Sequence, residues 1–134
     1  MRVILDTNVF ISGVFFGGPP HRILEAWRDG KLQLVISQEI LNEYQRVAEI
    51  LSSQFPAVDL WPVVQLVALE AEVYPHYGLP ERVSDDPDDD KFISCAIIGR
   101  CPVIVSGDKH LLKVSDYKGI SILKPREFVE AYLA

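Results

Sequence analysis

Cysteine is scarce in this chain: only Cys95 and Cys101 occur in 134 residues. No second pair accompanies them, so a thiolate zinc site is excluded, and their apolar neighbours predict reduced, packed thiols. Long hydrophobic runs are missing as well, and no stretch is long and apolar enough to span a bilayer. The opening MRVILDTNVF has one basic residue and an acid at position 6, so its apolar run is too short for a signal peptide. A cytoplasmic location is therefore expected. Positive charge is in deficit too, with 13 Lys and Arg against 19 Asp and Glu, a net charge of −6. That balance argues against a broad basic face that grips duplex nucleic acid, while leaving room for a local basic strip. Internal repeats, linkers and low-complexity tracts are also absent. What remains is 49% hydrophobic and of a length suited to one compact domain over residues 1–134.

Strand-like and helix-like stretches alternate along it. RVILD reads as a buried strand ending in an acid, and GGPP at 17–20 breaks the chain. HRILEAWRDGK predicts a helix closed by Gly30. LQLVIS is a second strand, and Ser37 is placed to cap the helix QEILNEYQRVAEIL. LWPVVQLVALEAEV is apolar on nearly every side, with a tail that turns into a strand near EVYP. Pro75 to Pro87 reads as an ordered loop. The helix DDKFISCAIIGR, the strand PVIVS, a turn and short helix at GDKHLL, the strand ISIL and the helix KPREFVEAYL follow, with Pro125 in the last helix's first turn. This alternation predicts an α/β fold with a mostly parallel sheet of four to five strands.

The acids stand at telling places. Ligands of open α/β sheets bind beyond the carboxyl ends of the strands, where Asp6 and Asp108 lie; each could instead cap a helix. SDDPDDDKF packs five aspartates into six positions, 85 to 90. Counting from Asp89, the positions i+3, i+4, i+7 and i+8 are Phe92, Ile93, Ala96 and Ile97, so Asp89 heads an apolar stripe and points inward. Contact with a helix dipole gives an exposed acid only about 0.3–1 kcal/mol and no reason to face the core. On the second helix, Glu43 lies nearest the apolar stripe; a surface ion pair with Arg46 is its competing role. Two unit charges ~5 Å apart repel by roughly 3 kcal/mol at an effective dielectric of 20. Four converging carboxylates therefore need protons or a hard divalent cation, and all-oxygen ligands favour Mg²⁺ or Mn²⁺.

Four motifs, LDTNVFISG, LVISQEILNEYQRV, DPDDDKFISCA and VIVSGDKHLL, resemble the PIN domain in that order, nearest to the VapC-like branch of toxins from toxin–antitoxin pairs. The resemblance implies a three-layer α/β/α fold and a metal-dependent endoribonuclease that leaves a 3′-hydroxyl and a 5′-phosphate. It assigns the catalytic, metal-holding acids to Asp6, Glu43, Asp89 and Asp108. Asp86 and Asp90 are further ligand candidates, since a run of aspartates leaves the register open by one. Asn8 and Ser106 match supporting polar positions. Arg82, Lys91, Lys109 and His110 lie beside the acidic motifs and could hold the substrate backbone at the rim. The expected partners are an RNA substrate, a small antitoxin and a second copy of the chain. An apolar segment such as LWPVVQLVALEAEV or VFFGGPPHRILEAW would form the interface or, equally, a larger core. Two other readings compete. One is a silent PIN-like module that binds RNA or protein; the other is a phosphoryl-transfer enzyme with an Asp nucleophile, whose DxD signature LDTN lacks.

Overall fold

Short aliphatic runs form the centre of the molecule because parallel strands are covered on both faces and can carry apolar side chains at every position. The computed structural model describes residues 1–76, 78–79 and 82–133. Its strands are β1 (Arg2–Leu5), β2 (Gln33–Ser37), β3 (Glu72–Tyr74), β4 (Val103–Val105) and β5 (Ser121–Leu123). They form one sheet in the order β3-β2-β1-β4-β5, every neighbouring pair parallel. Val3, Ile4, Leu5, Leu34, Val35, Ile36, Ile104 and Val105 in the middle strands are all but inaccessible to solvent. Helices flank this sheet: α1 (Thr7–Phe15), α2 (Pro19–Arg28), α3 (Gln38–Gln54), α4 (Trp61–Glu70), α5 (Asp90–Ile98), α6 (Lys109–Leu112) and α7 (Pro125–Tyr132). The α/β class and the parallel sheet are as expected, with five strands.

Local chemistry sets the element ends. The Ser37 hydroxyl accepts from the Ile40 amide at 3.1 Å and starts α3. Pro125 opens α7, and the Glu127 carboxylate reaches back to the Lys124 amide at 2.9 Å. Gly30 takes φ 77° just beyond α2, a conformation that favours glycine. The helix α1 is not announced by the sequence: TNVFISGVF is apolar on most sides and shows no polar face to mark a helix. Within the loop expected over Pro75–Pro87, residues 77, 80 and 81 lie outside the described residues.

The topology locates the site. From β1 the chain moves outward through β2 to β3, then returns to lay β4 on the other side of β1 and continues to β5. The order therefore reverses between β1 and β4, and a crevice opens beyond their carboxyl ends. At the opposite end of β1 the Arg2 guanidinium ties three elements. It reaches Glu72 at 2.7 Å, the Tyr74 hydroxyl at 2.9 Å and the Gly99 carbonyl at 2.7 Å. Among the described residues no helix is long and apolar enough to cross a membrane. Several large apolar side chains are left exposed, including Trp61, Leu66 and Leu69 on α4 and Phe16 after α1.

Candidate metal centre

The crevice between β1 and β4 collects carboxylates from four parts of the chain. Asp6 follows β1 and caps α1: its Oδ1 accepts from the Val9 amide at 2.9 Å, and its Oδ2 accepts from the Ser106 hydroxyl. Ser106 follows β4, and its Oγ also accepts from the Asp108 amide at 2.9 Å. Asp108 in turn caps α6 through the His110 amide at 2.7 Å. Capping and facing the crevice are thus compatible for both acids. The backbone joins them as well, since the Asp6 amide donates to the Val105 carbonyl at 3.0 Å.

The aspartate run divides between roles. A 3-10 turn, Pro87–Asp89, precedes α5, and Asp86 caps it by accepting from the Asp88 amide at 3.0 Å. One carboxylate oxygen from each of Asp86, Asp89 and Asp108 lies within 4.8 Å of the others, a spacing at which three carboxylates can share one ion. Asp89 is 9% exposed, and its Oδ2 is buried with no hydrogen-bond partner. Asp90 turns away: its two oxygens accept from the Val83 and Ser84 amides at 3.1 and 2.7 Å and pin the preceding loop. Asp90, an outer-ligand candidate in the sequence, is not among the residues that line the acidic cleft.

Electrostatics single out Asp89. Burial, then the charges of Asp108, Asp86 and Asp6, push its pKa up to about 7 against the opposing pull of Lys91. Burial likewise raises Asp6, with Asp108 and Glu43 adding to it, while the bonds from Ser106 and Val9 restrain the rise. A buried carboxylate oxygen lacking a partner is the donor a hard cation would satisfy. The residues present therefore fit a hard divalent cation.

The remaining candidates fall into two groups. Asp6, Asn8, Glu43, Asp86, Asp89, Lys91 and Asp108 all line one cleft of about 230 Å³, together with Asp88, which no motif or helical phase singles out. Glu43 reaches it from α3, accepting from the Thr7 hydroxyl through Oε2 and lying 3.0 Å from Lys91 Nζ through Oε1. Arg46, the partner in the competing surface role, is 3.8 Å away. Lys91 is buried rather than standing at the rim as expected, because α5 is enclosed on nearly all sides at its start. Arg82 does not face the cleft; it donates to the Ser84 and Asp85 carbonyls. His110 sits 3.9 Å from Asp85, and Lys109 is exposed. Neither Thr7 nor the Lys91–Glu43 pair follows from the sequence, and no periodicity could flag a lysine on a helix without an outward face.

A sequence model of the PIN domain matches residues 2–110, from β1 into α6. The chain belongs to the PIN domain family. A PIN domain is a nuclease fold, generally metal-dependent, and the acid cluster in this crevice fits that chemistry. Asp6, Glu43, Asp86, Asp89 and Asp108 all fall inside the matched span, as does the Ser106 bridge between β1 and β4. No protein of curated function matches the chain.

Proposed function

We propose that this PIN domain is a metal-dependent endoribonuclease acting in the cytoplasm as the toxin of a toxin–antitoxin pair. The observation that carries the catalytic reading is the buried, partnerless Oδ2 of Asp89 beside Asp86 and Asp108. Asp89, Asp108 and Asp86 would hold Mg²⁺ or Mn²⁺, with Asp6 next to them. When bound, the cation supplies charge to the phosphodiester and makes a neighbouring water a better nucleophile. Ser106 keeps Asp6 and Asp108 in register, since one hydroxyl bonds both residues. Glu43 faces the same cleft and takes up the proton of the attacking water, and hydrolysis leaves a 3′-hydroxyl and a 5′-phosphate. Lys109 and His110, beside the acids, meet the charge of the substrate backbone.

The apolar face of α4, with Leu69 81% exposed beside Trp61 and Leu66, supports a homodimer interface. Light scattering at high concentration checks this, and a strictly monomeric chain would remove the dimer. The catalytic reading is tested by cleavage of labelled RNA and single-stranded DNA in Mg²⁺, Mn²⁺ or EDTA. Metal-dependent cuts in RNA, lost in Asp89→Asn and in Asp6→Asn, are expected. No cuts by folded, partner-free protein under any condition would overturn it.

A further inference from the structure

Among the described residues lining the acidic cleft, Lys91 is the only basic one. It is 8% exposed. An ammonium so deeply placed needs close partners, because removing it from water is costly. It has two: Nζ donates to the Asp88 carbonyl at 2.6 Å and lies 3.0 Å from Glu43 Oε1. The other oxygen of Glu43 accepts from the Thr7 hydroxyl. Both oxygens of Glu43 are therefore engaged by the chain itself, whereas one of Asp89's is buried without a partner. A cation entering this cleft meets a partner-free oxygen on Asp89, whereas each oxygen of Glu43 is already held, one by Lys91 and one by Thr7.

The bonds of Lys91 also join two structural units. Asp88 belongs to the 3-10 turn that Asp86 caps and Asp89 completes, and Glu43 stands on α3. Thr7 adds the start of α1, one residue after Asp6. We propose that Lys91 and Thr7 hold Glu43 beside the cation rather than on it, so that Lys91 is a positioning residue that sets Glu43 apart as the proton acceptor. Arg46, mostly exposed and 3.8 Å from the same oxygen, is too loosely placed to replace it. This rests on the nuclease reading above.

Mn²⁺ binding to the full chain, followed by calorimetry and electron paramagnetic resonance, separates the two ideas. Asp89→Asn, which removes an oxygen that faces the ion, is expected to weaken Mn²⁺ by about a hundredfold, while Glu43→Gln, which removes only a neighbouring charge, costs about tenfold or less. Lys91→Met removes a positive charge from the cleft and frees Glu43 to reach the ion, and is expected to tighten Mn²⁺ by about tenfold, a gain that disappears in the Lys91→Met, Glu43→Gln double variant. Lys91→Arg, which keeps the charge, restores the wild-type affinity. On RNA, Lys91→Met lowers kcat with little change in KM. Glu43→Gln weakening Mn²⁺ as much as Asp89→Asn would place Glu43 on the ion and overturn the proposal, with the nuclease reading intact. Wild-type protein that binds no Mn²⁺ would overturn both. Should Lys91→Met fail to fold by circular dichroism, the Glu43→Gln titration decides alone.

Discussion

Asp6 occupies its place because the residues on either side of it are held. The carbonyl of Leu5, just before it, accepts from the hydroxyl of Tyr44, whose ring stacks on Phe10 at 4.4 Å and 5°. Tyr44 is fully buried, so Tyr44→Phe leaves the ring packing and strands that carbonyl without its partner. A loss of about 1–3 kcal/mol in urea unfolding is expected. An unchanged midpoint and slope would show that the carbonyl finds another donor. The inward direction of Asp89 is legible in the sequence alone, because Phe92, Ile93 and Ala96 follow it at helical spacing, and all three are buried. The parts played by its neighbours are not legible there. Asp86 and Asp90 are chemically alike and four residues apart, and only the path of the loop decides that one faces the crevice while the other caps Val83 and Ser84. Thr7 and Lys91 are hidden for a similar reason, since each meets Glu43 across a long gap in sequence.

Among the elements, α1 has the most demanding seat. It starts at the Asp6 cap and packs directly against α2, and Gly13 faces Pro20 and Leu24 of that helix. A Cβ built there would stand 2.7 Å from Leu24 Cδ1 and 2.8 Å from the Pro20 carbonyl. The leucine tip can move but the backbone oxygen cannot move cheaply, so Gly13→Ala must push the helices apart. About 1–3 kcal/mol of destabilisation is expected from such overpacking. Thermal unfolding of the variant checks this, and a melting temperature at or above wild type would sink the argument. Elements with a polar edge or a clear cap, such as α3 behind Ser37 and α7 behind Pro125, can be read from sequence. α1 cannot, because burial by α2 and α3 rather than an amphipathic pattern makes it a helix. The strands β1, β2 and β4 are legible as aliphatic runs, and their parallel arrangement follows from the helices between them.

At the scale of the whole molecule, the acid cluster sets how stability follows pH. Asp89 titrates at about 7 in the fold, while a free aspartate does so near 4. Between those values the folded chain keeps a proton that the unfolded chain has released, so stability falls as pH rises through the window. Metal-free protein in EDTA is therefore expected to melt several degrees lower at pH 8 than at pH 6, with much of that difference absent in Asp89→Asn. Mn²⁺ at pH 8 should raise the melting temperature of the wild type, by about 2.7 kcal/mol of added stability at a hundredfold excess over Kd, and should do far less for the variant. A wild-type melting temperature that rises from pH 6 to pH 8 in EDTA would contradict an Asp89 held protonated by its burial and its acidic neighbours.

The bond from Ser106 to Asp6 spans a hundred positions of the chain. During synthesis Asp6 and Glu43 leave the ribosome before Asp89 and Asp108 do. Until β4 has docked beside β1, there is no crevice, no Ser106 bridge and no second wall of carboxylates. On the nuclease reading, a nascent polypeptide is thus harmless to the message encoding it while the segments before β4 are being made. On that reading, cutting ability arrives only once the two halves of the sheet have met.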